Sequence, residues 1–221
     1  MVTSSQGLIR LMSWLSPVFP TGGFAYSGGL ERAVQDNFVV DEAGLQAWLH
    51  SLIHFGSSRN DLVLLAESWR RAKADQSCAD VAQLALGLAG SAERHLELTA
   101  QGNAFVLAVE NWEFDRKPDF GNQYPLPVVV GGYGGVGGIQ LEFTLVGYLQ
   151  AFVTNQLQAA IRLSVLGQSG AARIMAALEA EISALADTAA KSDLDDLGSA
   201  TINADIASMN HETQTVRLFR S

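Results

Sequence analysis

Residues 128–139 read VVVGGYGGVGGI, and the fold turns on what this run is. Gly132, Gly134 and Gly137 fit G-x-G-x-x-G, and the three valines ahead of them could supply the strand that precedes a dinucleotide-binding loop. Such a loop also needs a helix opening at its last glycine and an acidic residue about 20 positions on for the ribose. After Gly137 the first acidic residue is Glu142 and the next is Glu179, so neither has the required spacing. Pro125 and Pro127 crowd the start of any strand. The other reading is a packing segment whose small residues let a neighbour approach closely. Six glycines between 131 and 138 cost a helix about 0.8–1 kcal/mol each relative to alanine. A frayed or mobile segment is therefore expected, not a ligand site. A dinucleotide-dependent enzyme using a Gly132–Gly137 loop is the alternative.

Outward from this run, apolar residues recur at helical spacing. Leu45, Trp48, Leu49, Leu52 and Ile53 form one stripe behind Asp41, a cap candidate. Ser58-Arg-Asn-Asp61 fits a capping-box variant ahead of Leu62, Leu65, Ala66 and Trp69. Further stripes are Val81, Leu84, Ala85, Leu88; then Leu98, Gly102, Phe105, Val109, Trp112. Leu145, Tyr148, Leu149 and Phe152 open a helix running to about Leu166, and Ile174, Leu178, Ile182 and Leu185 follow. Period-2 alternation is nearly absent, and the strand-helix alternation of a parallel sheet is missing. The breaks are too short for domain linkers. The reading is an all-α, single-domain helical bundle over 1–221, with an N-terminal arm at 1–23 and an aperiodic C-terminal tail at 192–221.

Of the 221 residues, 48% are hydrophobic and 17% charged, a globular composition. The net charge of −9 repels phosphate backbones and argues against nucleic acid. Cys78 stands alone, which rules out an internal disulfide framework and says nothing against a reducing cytoplasm. The first twenty residues lack a basic segment ahead of an apolar run, and Arg10, Pro17 and Pro20 interrupt them; neither a signal peptide nor a membrane span is expected.

Two polar stripes interrupt apolar faces. Arg94, Glu97 and Gln101 lie at i, i+3, i+7, and Asn155, Gln158 and Arg162 repeat that spacing inside the most apolar helix. Each is a satisfied polar network, a solvated edge of the bundle, or a surface that a second chain covers. Catalytic constellations are weaker. His50 and His54 have the i, i+4 spacing of metal ligands, but Ser51 stands where a zinc-protease motif has glutamate, and no third ligand is evident. Cys78 lies in an expected loop without a neighbouring histidine. Asp193, Asp195 and Asp196 read as a solvated face or cap. No catalytic residue, metal ligand or cofactor site is assigned.

Three blocks and the tail carry a resemblance. The blocks are LSPVFPTGGFAYSGGLE (15–31), ERHLE (93–97) with Gln101-Gly102, and YLQAF (148–152) through AIRL (160–163) to Leu166-Gly-Gln168. The tail holds DDLG (195–198), DIASMNHETQ (205–214) and RLFRS (217–221). Together they resemble the urease accessory protein UreF family over nearly the whole chain. The resemblance implies an all-α, dimeric, cytoplasmic protein without catalysis of its own. Such a protein joins UreD (also called UreH) and the GTPase UreG, and the assembly delivers nickel to apo-urease. GTP and nickel are then handled by the partners. The family tends to have alanines where this chain has Gly131, Gly132, Gly134, Gly135, Gly137 and Gly138, which puts the stability of that helix in question.

The resemblance also implies partner-binding residues. The tail, with His211, Glu212, Arg217 and Arg220, would dock on UreD and order as it does so. Tyr26, Ser27, Glu31 and Arg162 are candidates for the face toward UreG. Arg94, Glu97, Gln101, Asn155 and Gln168 complete the set. Arg162 either supplies charge near the GTPase's nucleotide or holds its switch loops by salt bridges; a mid-helix arginine favours the second.

Overall fold

The computed structural model describes residues 5–221, and among these there are helices and turns but no strand. The chain runs through α1 (Ser5–Trp14), a 3-10 turn at Gly23–Ala25, α2 (Leu30–Gln35), α3 (Glu42–Phe55), α4 (Ser57–Lys73) and α5 (Ala79–Gly87). It continues through α6 (Ala92–Val109), α7 (Leu126–Val136), α8 (Leu141–Arg162), α9 (Gln168–Ala189), a second 3-10 turn at Leu194–Asp196, and α10 (Ile202–His211). The all-α expectation holds. No described helix is long and apolar enough to cross a membrane.

The glycine run is not frayed: it forms most of α7 and is buried. Gly131 and Gly135, four residues apart, face Leu65 and Trp69, four residues apart on α4. A β-carbon at Gly131 would stand 2.3 Å from the Leu65 carbonyl oxygen, and one at Gly135 would stand 2.5 Å from that of Trp69. The backbones thus approach more closely than any side chain allows, as small residues permit. Ser68 Oγ donates to the Val128 carbonyl at 2.7 Å, and Trp69 Nε1 to that of Ile139 at 2.8 Å. Burial of Val128, Val129 and Val130 offsets the low helix propensity of the glycines. The expectation of a mobile segment overlooked this tertiary gain.

The same glycines end the helix. Gly138 has φ of 67°, and the Ile139 amide reaches back to the Gly134 carbonyl at 3.0 Å while the Gly138 amide reaches Gly135. This is a Schellman stop. A dinucleotide fingerprint opens a helix at its last glycine; here the run closes one. Gly132 lies against the Phe120 ring, where a β-carbon would stand 2.6 Å away. The run is filled by protein, and the dinucleotide reading is withdrawn.

Of the other local expectations, one holds and the rest change. Asp41 does cap α3, accepting from the Gly44 amide at 2.8 Å. The capping box read at 58–61 does not start α4, which already begins at Ser57; Ser58 Oγ donates to the Leu52 carbonyl instead. The N-terminal arm contains α1, anchored by Trp14, whose ring meets Phe105 at 5.9 Å and Trp112 at 6.0 Å; residues 1–4 of the arm lie outside those described. The tail is not aperiodic either. Asp193 and Asp196 form a reciprocal capping box on the second 3-10 turn, and α10 follows.

Candidate partner interface

The tail folds back on the block at 22–31. Gly29 opens α2 and places Glu31 in its first turn. Glu31 Oε1 accepts from the Leu218 amide at 2.8 Å, and Oε2 accepts from the Phe219 amide and from His211 Nε2, both at 3.0 Å. On the other side of the ring, His211 Nδ1 meets Glu93 Oε2 at 2.8 Å, and Glu93 Oε1 accepts from Arg217 at 2.8 Å. His211 is fully buried at the end of α10. Each ring nitrogen of His211 thus faces one carboxylate oxygen. Burial pushes the Glu31 carboxyl up, but the two tail amides and His211 outweigh it and hold the group below its ordinary value.

Beside this clamp, the Arg220 amide donates to the Ala25 carbonyl at 2.7 Å, and the Ser27 amide to that of Ser221 at 2.6 Å. Ser27 Oγ donates to the same Ser221 oxygen. From α8, Asn155 Nδ2 donates to the Tyr26 carbonyl at 3.1 Å and Gln156 Nε2 to that of Ser27 at 2.9 Å. Arg162 Nη1 donates to the Phe24 carbonyl at 2.6 Å, and its guanidinium lies 4.1 Å from the centre of the buried Phe219 ring. Arg162 therefore ties the first block and the tail to α8.

A second network lies one helix away. Asp61 Oδ2 accepts from Arg94 Nη2 at 2.5 Å and from the Tyr148 hydroxyl at 2.8 Å. Arg94 also donates to Glu97 at 3.1 Å, and Gln101 Nε2 donates to Glu97 at 3.1 Å. Burial works against the Arg94 charge, yet Asp61 and Glu97 outweigh it and raise its pKa. The Tyr148 phenol is pushed up by burial and by Asp61. The polar stripe on α6 is thus a satisfied internal network. It also floors a groove of about 440 Å³ whose walls include Met12, Phe24, Phe143 and Phe152. Met12 and Phe24 are each 65% exposed, so the groove presents apolar surface to solvent.

The fold brings Tyr26, Ser27, Glu31, Asn155, Arg162, His211, Arg217 and Arg220 together, with Arg94, Glu97 and Gln101 adjoining. Gln101 reaches the 3-10 turn, where a β-carbon on Gly23 would stand 3.2 Å from its Oε1. Glu212 instead accepts from the Ala92 amide at the start of α6, at 2.9 Å. Gln168 is exposed at the first position of α9, in neither network. Sequence reasoning missed Asp61, Glu93 and Gln156. Glu93 stood inside the quoted ERHLE block, whereas Asp61 was masked by its capping-box spacing. Cys78 is buried beside α5, its amide bonded to the Asp119 carbonyl at 2.7 Å, and burial pushes its thiol up.

The architecture is that of an all-α protein whose polar side chains fasten its own terminal segment to its body. By sequence, residues 39–179 match the UreF family model, and the chain belongs to that family. It is 55% identical over 220 residues to the urease accessory protein UreF of Brucella ovis, covering 98% of this chain and 95% of that one. It is 51% identical to urease accessory protein UreF 1 of Brucella anthropi over 99% of this chain and 96% of that one. It is also 51% identical to the Rhizobium etli urease accessory protein UreF, over 98% and 97%.

Proposed function

We propose that this chain is a non-catalytic accessory protein in urease maturation. In this reading it bridges UreD/UreH and the GTPase UreG, works as a cytoplasmic homodimer, and helps the assembly deliver nickel to apo-urease. The observation that carries the reading is similarity to UreF proteins along nearly the whole chain, the first block and the tail included. The tail, expected to order on docking, is already folded on the body in the free chain; it remains the segment that this reading gives to UreD/UreH. The exposed apolar residues around the groove suit a protein that is covered by others.

Arg162 is assigned a supporting role toward UreG rather than that of an arginine finger. Its guanidinium is engaged by Phe24 and Phe219, so it shapes the surface a GTPase would meet without projecting into another protein's site. The test is a pull-down of the tagged chain from cells expressing the urease operon. UreD and UreG should be recovered with the intact chain, and removal of residues 209–221 should abolish UreD recovery. Undiminished UreD recovery after that deletion would overturn the assignment.

A further inference from the structure

His50 and His54 lie one turn apart on α3, and their rings stack at 4.3 Å with 28° between planes. The sequence offered no third ligand for this pair. The fold supplies Glu181 from α9, 127 residues beyond His54. Both imidazoles present Nε2 to the same carboxylate oxygen: Glu181 Oε2 is 3.1 Å from His54 Nε2 and 3.8 Å from His50 Nε2. Among the described residues, no lysine or arginine is paired with Glu181. One potential donor atom from each residue thus converges on one spot.

We propose that His50, His54 and Glu181 form a divalent transition-metal site on the seam between α3 and α9. The three ligand atoms lie within 4.8 Å of one another. Around an ion with bonds of about 2.0–2.2 Å, tetrahedral ligands stand about 3.4 Å apart. Closing that difference takes a small side-chain rotation, which half-exposed residues can make. Two imidazoles and one carboxylate suit nickel, zinc, cobalt or copper rather than magnesium or calcium, which take oxygen ligands. Three protein ligands leave positions open to water or to a donor from another molecule. The overall charge of −9 favours cation approach. A bound ion would also join α3 to α9, a seam that Arg173 on α9 and Glu42 on α3 bridge nearer the start of each helix at 2.6 Å.

The site is read on the chain alone, so it stands or falls separately from the role in urease maturation. Isothermal titration calorimetry of the full chain with nickel chloride, and separately zinc chloride, should give one ion per chain. His50→Ala and His54→Ala should each weaken binding at least about tenfold, and Glu181→Gln should weaken it measurably. His95→Ala, on α6, should leave it unchanged. The melting temperature of the parent should rise with added nickel, while that of His54→Ala should not. Circular dichroism establishes that each variant is folded; should one variant not fold, the other two carry the test. Absence of stoichiometric binding to the parent, or parental affinity in folded His54→Ala and Glu181→Gln, would overturn the site.

Discussion

The Leu65 carbonyl oxygen occupies space that a β-carbon on Gly131 would need, at 2.3 Å. Gly131→Ala should therefore force α7 away from α4. Overpacking of this kind costs about 1–3 kcal/mol, and the obstacle here is backbone rather than a flexible side chain. Gly87, at the end of α5, has no atom within 4 Å of its β-carbon position. Gly87→Ala should be neutral, or stabilising by up to about 1 kcal/mol. Denaturant midpoints of the two variants make the comparison, and amides of residues 129–136 should be strongly protected from hydrogen exchange in the parent.

Glu31 ties the tail through two amides and His211. Its pKa is lowered on folding, so its contribution is present above the unfolded value near 4.5 and is lost as pH falls through the lower folded value. Acidification below about pH 4.5 should release residues 212–221 ahead of global unfolding. Glu31→Gln should loosen the same residues at neutral pH. Limited proteolysis or hydrogen exchange within that segment reads both effects; a tail equally protected in Glu31→Gln would contradict the clamp.

In the Arg94–Asp61 pair Asp61 is buried and Arg94 mostly so, and Asp61 is shared with Tyr148. Removing one partner leaves the other charge unmatched, which costs about 3–5 kcal/mol, whereas replacing both with apolar residues costs far less. Arg94→Met and Asp61→Leu should each be destabilising, and the double variant should cost less than their sum, with a residual loss from Glu97, which then keeps only Gln101. A thermal double-mutant cycle measures the coupling, and simple additivity would show that the two charges are independent.

Arg162 covers Phe219 and bonds Phe24. Arg162→Ala should cost roughly 1–2 kcal/mol through the lost cation–π and hydrogen-bond contacts. On the proposed function it should also reduce recovery of UreG or UreD. Phe219→Ala, which loosens the same tail from inside, separates the two effects. If Arg162 acts only by holding the tail, both variants weaken assembly alike; normal assembly and urease activity in Arg162→Ala would remove any role toward the partners.

The helices were legible because their stripes are regular: Leu45, Leu49, Leu52 and Ile53 all prove buried on α3. The glycine segment was legible as a packing surface but not as a stable one, because propensity is local and the Leu65 and Trp69 carbonyls that reward small residues come from another helix. Asp61 imitated a cap, and only the approach of Arg94 and Tyr148 from α6 and α8 reveals its use. Glu181 carried no signal at all, since its relation to His50 and His54 exists only once α9 lies against α3. The tail hid its helix because α10 is short and weakly striped, and its order comes from single buried groups such as His211 and Phe219.

Glu31 and its partners His211, Leu218 and Phe219 lie 180, 187 and 188 residues apart, so the carboxylate is synthesised well before the groups that bind it. A nascent chain can build α3 through α9 with the Glu31 carboxylate and the Ser27 amide still facing water, and both settle only when residues 211–221 arrive. Such long-range closure belongs late in folding, after local contacts have formed. A chain lacking residues 211–221 would keep a body largely assembled but with its first block unfastened.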